Sequence, residues 1–367
     1  MEADGARGGA GIVPGVRRIA VLRANALGDF IFVLPGLEAL RAAYPDAEIV
    51  LIARDWHRDF LAGRPGPVDR VIALPHGALG DEIGAGEFDA DERERVIRSL
   101  QEERFDVALQ MHGGGRNSNP FLLRLGARVT AGSRTGDAAP LDRWLPYSLL
   151  QPEVIRYREI AALVGATDGP LDPSLAVTQR DFAAAISVAP DDDAPLAVLH
   201  PGASDPRRRW PSERFAAVGD ALAAAGLRVF VTGVEAEREL ADRVVASMAA
   251  GGRSLAGALT LRGLCGLLAR CQIVVSNDTG PLHLAAAVET ATVGVYWCFN
   301  FMNSSPVTRA RHAALISWQT HCPSCGADCI SGRCRHRDSL VTDVTAAEVV
   351  AVALDLLKRG PRRGRET

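Results

Sequence analysis

The sequence predicts a two-domain α/β protein in which each domain is a parallel sheet covered by helices. Three observations predict it. Short apolar runs that end in small-residue turns alternate with helical segments, and the rhythm occurs twice along the chain. Between the two passages stands a polar stretch with two prolines, residues 189–195 (APDDDAP), which reads as a linker. The chain has 367 residues, 47% of them apolar and 23% charged, enough for two ordinary domains with a core each.

In chain order, residues 18–23 (RIAVLR) suit a buried parallel strand, and a turn at 24–29 leads to a helix at 30–44 stopped by Pro45. Residues 48–53 form the next strand, 93–103 a charged helix, 106–111 a strand, 112–119 a Gly-rich loop and 129–131 a short strand. After the linker come a strand at 196–200, a helix at 213–225 capped by Ser212 with Gly226 past its end, and strands at 227–232, 273–276 and 292–297. Thr345 and Glu348 make a capping box that opens a last helix reaching Lys358. The expected organisation is a disordered tail at 1–15, a first domain at 16–188, a second at 196–345, a helix at 346–358 and a basic tail at 359–367. Two such domains leave a cleft between facing sheets, and ligands of parallel sheets sit at the carboxyl ends of the strands.

Composition narrows the function classes. A net charge of −3 gives no general field for nucleic acid, so an anionic ligand needs a local cluster. The first fifteen residues lack the apolar core of a signal peptide, and no apolar stretch is long enough to span a bilayer. A cytoplasmic protein is expected, with at most peripheral contact with the inner face of the membrane through the basic end. All seven cysteines follow residue 264, which argues against a disulfide framework for the whole fold.

Four strand ends carry the chemistry. Gly28-Asp29 follows the first strand, and Asp29 reads either as a helix-capping carboxylate or as a base able to take a proton from a hydroxyl. No GxGxxG is present there, so a dinucleotide fingerprint is not supported. At 200–211 a strand end is followed by Gly202, Ala203 and Ser204, whose amides can approach a phosphate, and by Arg207, Arg208 and Arg209, which can neutralise a diphosphate. At 276–283, Thr279 and Gly280 offer donors at a helix start, Asp278 suits sugar hydroxyls, and His283 reads equally as a ligand or a buried structural histidine. Glu237 closes the segment after a further strand and can accept from ribose hydroxyls. No Asp-x-Asp pair stands at a strand end to hold a catalytic metal. Cys322, Cys325, Cys329 and Cys334 crowd one loop flanked by His321 and His336; zinc, disulfides and free thiols are all open there.

The segments GDFIFVLPGLEALR, HPGASDPRRRWPSERF, VTGVEAERELA and VSNDTGPLHLAAAV, in this order, resemble glycosyltransferase family 9, the ADP-heptose:lipopolysaccharide heptosyltransferases, over residues 18–357. The resemblance implies a GT-B fold of two Rossmann-like domains, the first binding a glycan or glycolipid acceptor and the second a nucleotide-sugar donor, expected to be ADP-heptose. It implies inversion at the anomeric carbon with no cofactor and no catalytic metal. On this resemblance Asp29 is the general base, and Arg208 stands where the family usually has a phosphate-contacting lysine. A guanidinium is a planar fork, so charge is kept and geometry changed. Ser204, Glu237, Asp278, Thr279, Gly280 and His283 fall on the donor side; Gly28 and His112 are the acceptor-side candidates. Two other readings are a nucleotide-sugar epimerase of the same fold and a non-catalytic nucleotide- or glycan-binding protein.

Overall fold

The structure is a computed structural model that describes residues 11–80, 88–190, 194–330 and 334–360. It divides into two compact units, Met1–Pro173 and Ser174–Thr367.

In the first unit β1 (Arg18–Leu22), α1 (Leu27–Ala43), β2 (Glu48–Ala53), α2 (Asp55–Leu61) and β3 (Arg70–Ala73) follow one another. Then come α3 (Ala90–Glu102), β4 (Val107–Gln110), α4 (Ser118–Leu123), β5 (Val129–Arg134), β6 (Arg143–Pro146) and α5 (Glu153–Ala162). The six strands form one sheet in the order β3-β2-β1-β4-β5-β6. Its pairs are all parallel, with Val21 of β1 opposite Leu51 on one side and Leu109 on the other. Ile19, Ala20, Val21 and Leu22 are completely buried, as a central strand covered on both faces must be. Helix α1 is apolar nearly all round and packs on α5; at Gly36 a side chain would press on the carbonyl of Tyr157.

The second unit opens with α6 (Gln179–Ile186), then β7 (Leu196–His200), α7 (Ser212–Ala224), β8 (Arg228–Val231), α8 (Arg238–Ser247) and β9 (Arg253–Ser254). It continues with α9 (Leu261–Arg270), β10 (Cys271–Asn277), α10 (Gly280–Ala287), β11 (Ala291–Trp297), α11 (Cys298–Ser304), β12 (His312–Ser317) and α12 (Ala346–Lys358). The sheet order is β12-β11-β10-β7-β8-β9, again all parallel. Counted from its own first strand, this is the same order as in the first sheet. In each unit the chain winds to one side of its first strand and then returns to the other side, so the switch points lie between β1 and β4 and between β7 and β10.

Several expectations need correction. The boundary between units falls after Pro173, not at 189–195, because α6 packs on α9 and Leu175 N–H bonds to Ala287 O inside the second unit. The expected disordered tail does not hold for residues 11–15: Val13 is buried and its N–H donates to the Tyr44 hydroxyl at 2.9 Å. Residues 1–10 and 361–367, which take most of both predicted tails, lie outside the described residues. Helix α7 is capped by no Ser212 side chain; Pro211 occupies the cap position. The Thr345–Glu348 capping box is formed, with Thr345 N–H on Glu348 Oε2 at 2.8 Å.

Candidate functional site

At the first switch point, α1 starts two residues before Asp29, which makes Asp29 the third residue of the helix. Ala26 at the cap has no side-chain acceptor to offer. Asp29 reaches back instead, and its Oδ2 accepts the Ala26 N–H at 3.1 Å. Its Oδ1 accepts from Arg23 Nη2 at 2.9 Å, and its side chain remains 31% exposed. Capping therefore occupies one lone pair on one oxygen and leaves the carboxylate open to a ligand.

Arg23 organises this corner. Its guanidinium is almost completely buried, and a buried charge must be matched by acceptors. It donates to Asp29 O at 3.1 Å, Met111 O at 2.9 Å, Asp29 Oδ1 and Glu153 Oε2 at 2.8 Å, and lies over the Tyr157 ring. Tyr157 in turn donates to Glu153 Oε2 at 3.0 Å. One side chain thus ties together the ends of β1 and β4 and the starts of α1 and α5. His112, just past β4, is buried and accepts the Ala24 N–H on Nδ1 at 3.2 Å, which leaves the proton on Nε2. Burial, helped by Arg23 and Arg54, pushes its pKa down to about 3, so it is neutral. Gly28, half-buried in the first turn of α1, completes the group; Gly28, Asp29 and His112 all lie at the carboxyl ends of neighbouring strands.

At the second switch point, Asn277, the last residue of β10, clamps the 201–211 loop at both ends. Its Oδ1 accepts the Trp210 N–H at 3.0 Å and its Nδ2 donates to Pro201 O at 2.8 Å. Within the clamped loop the three arginines take three different partners. Arg207 pairs with Asp205, and Arg209 donates to Ala203 O at 2.9 Å. Arg208 alone turns to the end of β10: it donates to Ser204 Oγ at 3.0 Å and to Asp278 O at 3.2 Å, and it lies 3.5 Å from Asp278 Oδ2. The expectation of a triple-arginine cluster on one anion gives way to a single guanidinium held between two partners.

Asp278 is buried. Its Oδ1 accepts from Ser304 Oγ at 2.9 Å and is 3.0 Å from His283 Nε2. Burial alone would raise its pKa, but His283, Arg208 and Ser304 outweigh that and hold it below the usual carboxylate value. Its Oδ2 faces Arg208, and its Oδ1 faces His283 and Ser304. Thr279 is the cap residue of α10, its hydroxyl 3.3 Å from Asn277 O and from Ser276 Oγ, and Gly280 opens the helix. On the far side of the loop Glu237 accepts the Val234 N–H at 3.0 Å. Its carboxylate fills the space a side chain at Gly202 would need, so that glycine is what lets Glu237 approach the loop. The structure therefore brings Ser204, Arg208, Asp278, Thr279, Gly280 and His283 to one strand end, with Glu237 against the start of the same loop.

Sequence reasoning missed Arg23, Glu153, Asn277 and Ser304. An arginine closing a fully apolar strand was the one available signal, since a strand end buried in a sheet core demands acceptors for it. Ser304, in α11, had none.

In the cysteine loop, Cys322, Cys325, Cys334 and His336 place their donor atoms within 4.8 Å of one another. Cys329, expected in this set, is elsewhere: its Sγ lies 3.6 Å from Ala327 O and packs in the core, and His336 takes its place. No two of the seven cysteines are joined by a disulfide. Among the described residues no helix is long and apolar enough to cross a membrane.

Comparison with known proteins bears on these sites. Residues 93–329, more than half of the chain, match the profile of glycosyltransferase family 9 (heptosyltransferase), and the chain belongs to that family. It is a glycosyltransferase. It is 29% identical to lipopolysaccharide heptosyltransferase 2 of Salmonella typhimurium strain LT2, over 76% of this chain and 82% of that protein. Among solved structures it is similar to a family 9 glycosyl transferase from Veillonella parvula, with a TM-score of 0.77 at 19% identity, covering 96% of this chain and all of that one. The Escherichia coli ADP-heptose lipopolysaccharide heptosyltransferase II gives a TM-score of 0.72 at 23% identity, covering 93% and 99%. These neighbours share the fold of two parallel six-stranded sheets, the GT-B arrangement the sequence predicted.

Proposed function

We propose that the protein transfers a heptose from ADP-heptose to a hydroxyl of a lipopolysaccharide-core acceptor, with inversion and without a catalytic metal. The first unit holds the acceptor and the second the donor. The observation that carries this reading is Arg208 fixed between Ser204 and Asp278 at the switch point of the second sheet, beside the start of α10. A cation and helix amides at one strand end suit a diphosphate. Glu237, against the same loop, suits the ribose.

In the proposed reaction Asp29 takes the proton of the acceptor hydroxyl. The oxygen attacks the anomeric carbon from the face opposite the diphosphate, a new C–O bond forms, and the bond to the phosphate oxygen breaks with its electron pair leaving on ADP. Arg208 stabilises the charge that grows on the leaving diphosphate. Arg23 positions Asp29, and Asp278 with His283 positions Arg208. The absence of a membrane-crossing helix among the described residues is consistent with action in the cytoplasm. Likeness to the Salmonella and Escherichia coli lipopolysaccharide heptosyltransferases 2 supports the choice of sugar and acceptor.

Thermal unfolding in the presence of ADP, UDP or GDP tests the donor assignment, because a ligand of the folded state raises the melting temperature by mass action. ADP should stabilise the wild type and lose that effect in Arg208→Ala, whereas UDP and GDP should not stabilise it. Stabilisation by UDP or GDP without ADP would contradict the donor assignment.

A further inference from the structure

We infer that Cys322, Cys325, Cys334 and His336 form a structural zinc site that fastens the loop between β12 and α12. The inference stands on the cluster itself and does not depend on the proposed reaction.

Three of the six separations between the ligand atoms fit a tetrahedral centre. Bonds of about 2.3 Å to sulfur and about 2.0 Å to nitrogen place neighbouring ligand atoms about 3.8 Å apart for two sulfurs and about 3.5 Å apart for sulfur and nitrogen. Here Cys325 Sγ and Cys334 Sγ are 3.5 Å apart, Cys322 Sγ and His336 Nδ1 3.7 Å, and Cys334 Sγ and His336 Nδ1 3.4 Å. A disulfide would need sulfurs at about 2.05 Å.

The backbone is shaped for thiolates as well. Gly326, directly after the Cys322-Pro-Ser-Cys325 turn, has φ +69°, the left-handed conformation that favours glycine, and its N–H closes the turn on Cys322 O at 2.8 Å. The His336 N–H donates to Cys334 Sγ at 3.3 Å. Three thiolates and one imidazole, with no position left for water, define a closed site of the zinc type.

The site joins two arms of one loop, and that loop supports the arginine turn. Leu340 N–H donates to Arg207 O at 2.7 Å, and Val344 O accepts the Trp210 indole N–H at 2.9 Å. On binding, each thiol ligand releases its proton to solvent, and the binding free energy becomes folding free energy of this segment.

Elemental analysis of the full-length protein, purified without chelator, tests the site. Wild type and Cys329→Ser should each carry about one zinc per chain, while Cys325→Ser and Cys334→Ser should fall below about a tenth of that. His336→Cys should retain zinc, which keeps the test open if the serine variants fail to fold. A folded wild type without zinc, a Cys325–Cys334 disulfide in peptide mapping, or stoichiometric iron in place of zinc would overturn the inference. Equal zinc loss in Cys329→Ser and Cys325→Ser would overturn the ligand set.

Discussion

Two buried histidines stay neutral chiefly because they are buried, and Arg23 and Arg54 add to the effect. His57 has no exposed surface and its pKa is pushed down to about 3, by burial first and by Arg23 and Arg54 after; His112 is held at about 3 for the same reasons. The unfolded value is near 6.5. Between pH 6.5 and about 3 the unfolded chain therefore binds protons that the folded chain does not. Stability is fully present above that window and is lost as pH falls through it, by about 1.4 kcal/mol per pH unit for each histidine. Replacing His57 with Asn keeps an acceptor for the Arg54 N–H, which His57 Nδ1 accepts at 3.2 Å, and removes one titration. Urea unfolding at several pH values should show a shallower acid dependence in His57→Asn than in wild type. Parallel curves would contradict the account of this residue.

Helices α6 and α9 meet through glycine. A side chain at Gly266 would collide with the backbone carbonyl of Asp181, which cannot move without shifting α6. Asp181 is itself buried, caps its own helix at Thr178 and pairs with Arg262 at 3.3 Å. Gly266→Ala should therefore lower stability by roughly 1–3 kcal/mol, read as a drop in melting temperature. An unchanged melting temperature would mean the helices separate freely. This contact also explains what the sequence hid. Strands β1, β4, β7, β8, β10 and β11 were legible because strands covered on both faces read as continuous apolar runs. Strands β3 and β6 carry arginines and are only partly buried, and β9 has two residues, so none gave a periodic signal. The proline-rich 189–195 segment looked like a linker because composition records local polarity, whereas the packing of α6 on α9 joins residues some 80 positions apart. Asp29, Arg208 and Asp278 were legible as strand-end residues. Their supports, Arg23, Asn277 and Ser304, and the exchange of Cys329 for His336, depend on which segments meet in space.

At the scale of the molecule, one winding order is used twice, and each sheet has its candidate residues at its own switch point. The first presents a part-exposed carboxylate locked by a buried arginine; the second presents an arginine locked by a buried carboxylate. That inverse pairing suits a proton acceptor in one unit and an anion holder in the other. The most direct test is the rate of heptose transfer by Asp29→Asn at saturating donor, since asparagine keeps the size of the side chain and an oxygen for the Ala26 N–H while the basic charge, with its pairing to Arg23, is lost. Transfer should fall by at least about a hundredfold, the lower range for loss of a general base, with ADP binding unchanged. Transfer above about a hundredth of the wild-type rate would contradict the assignment.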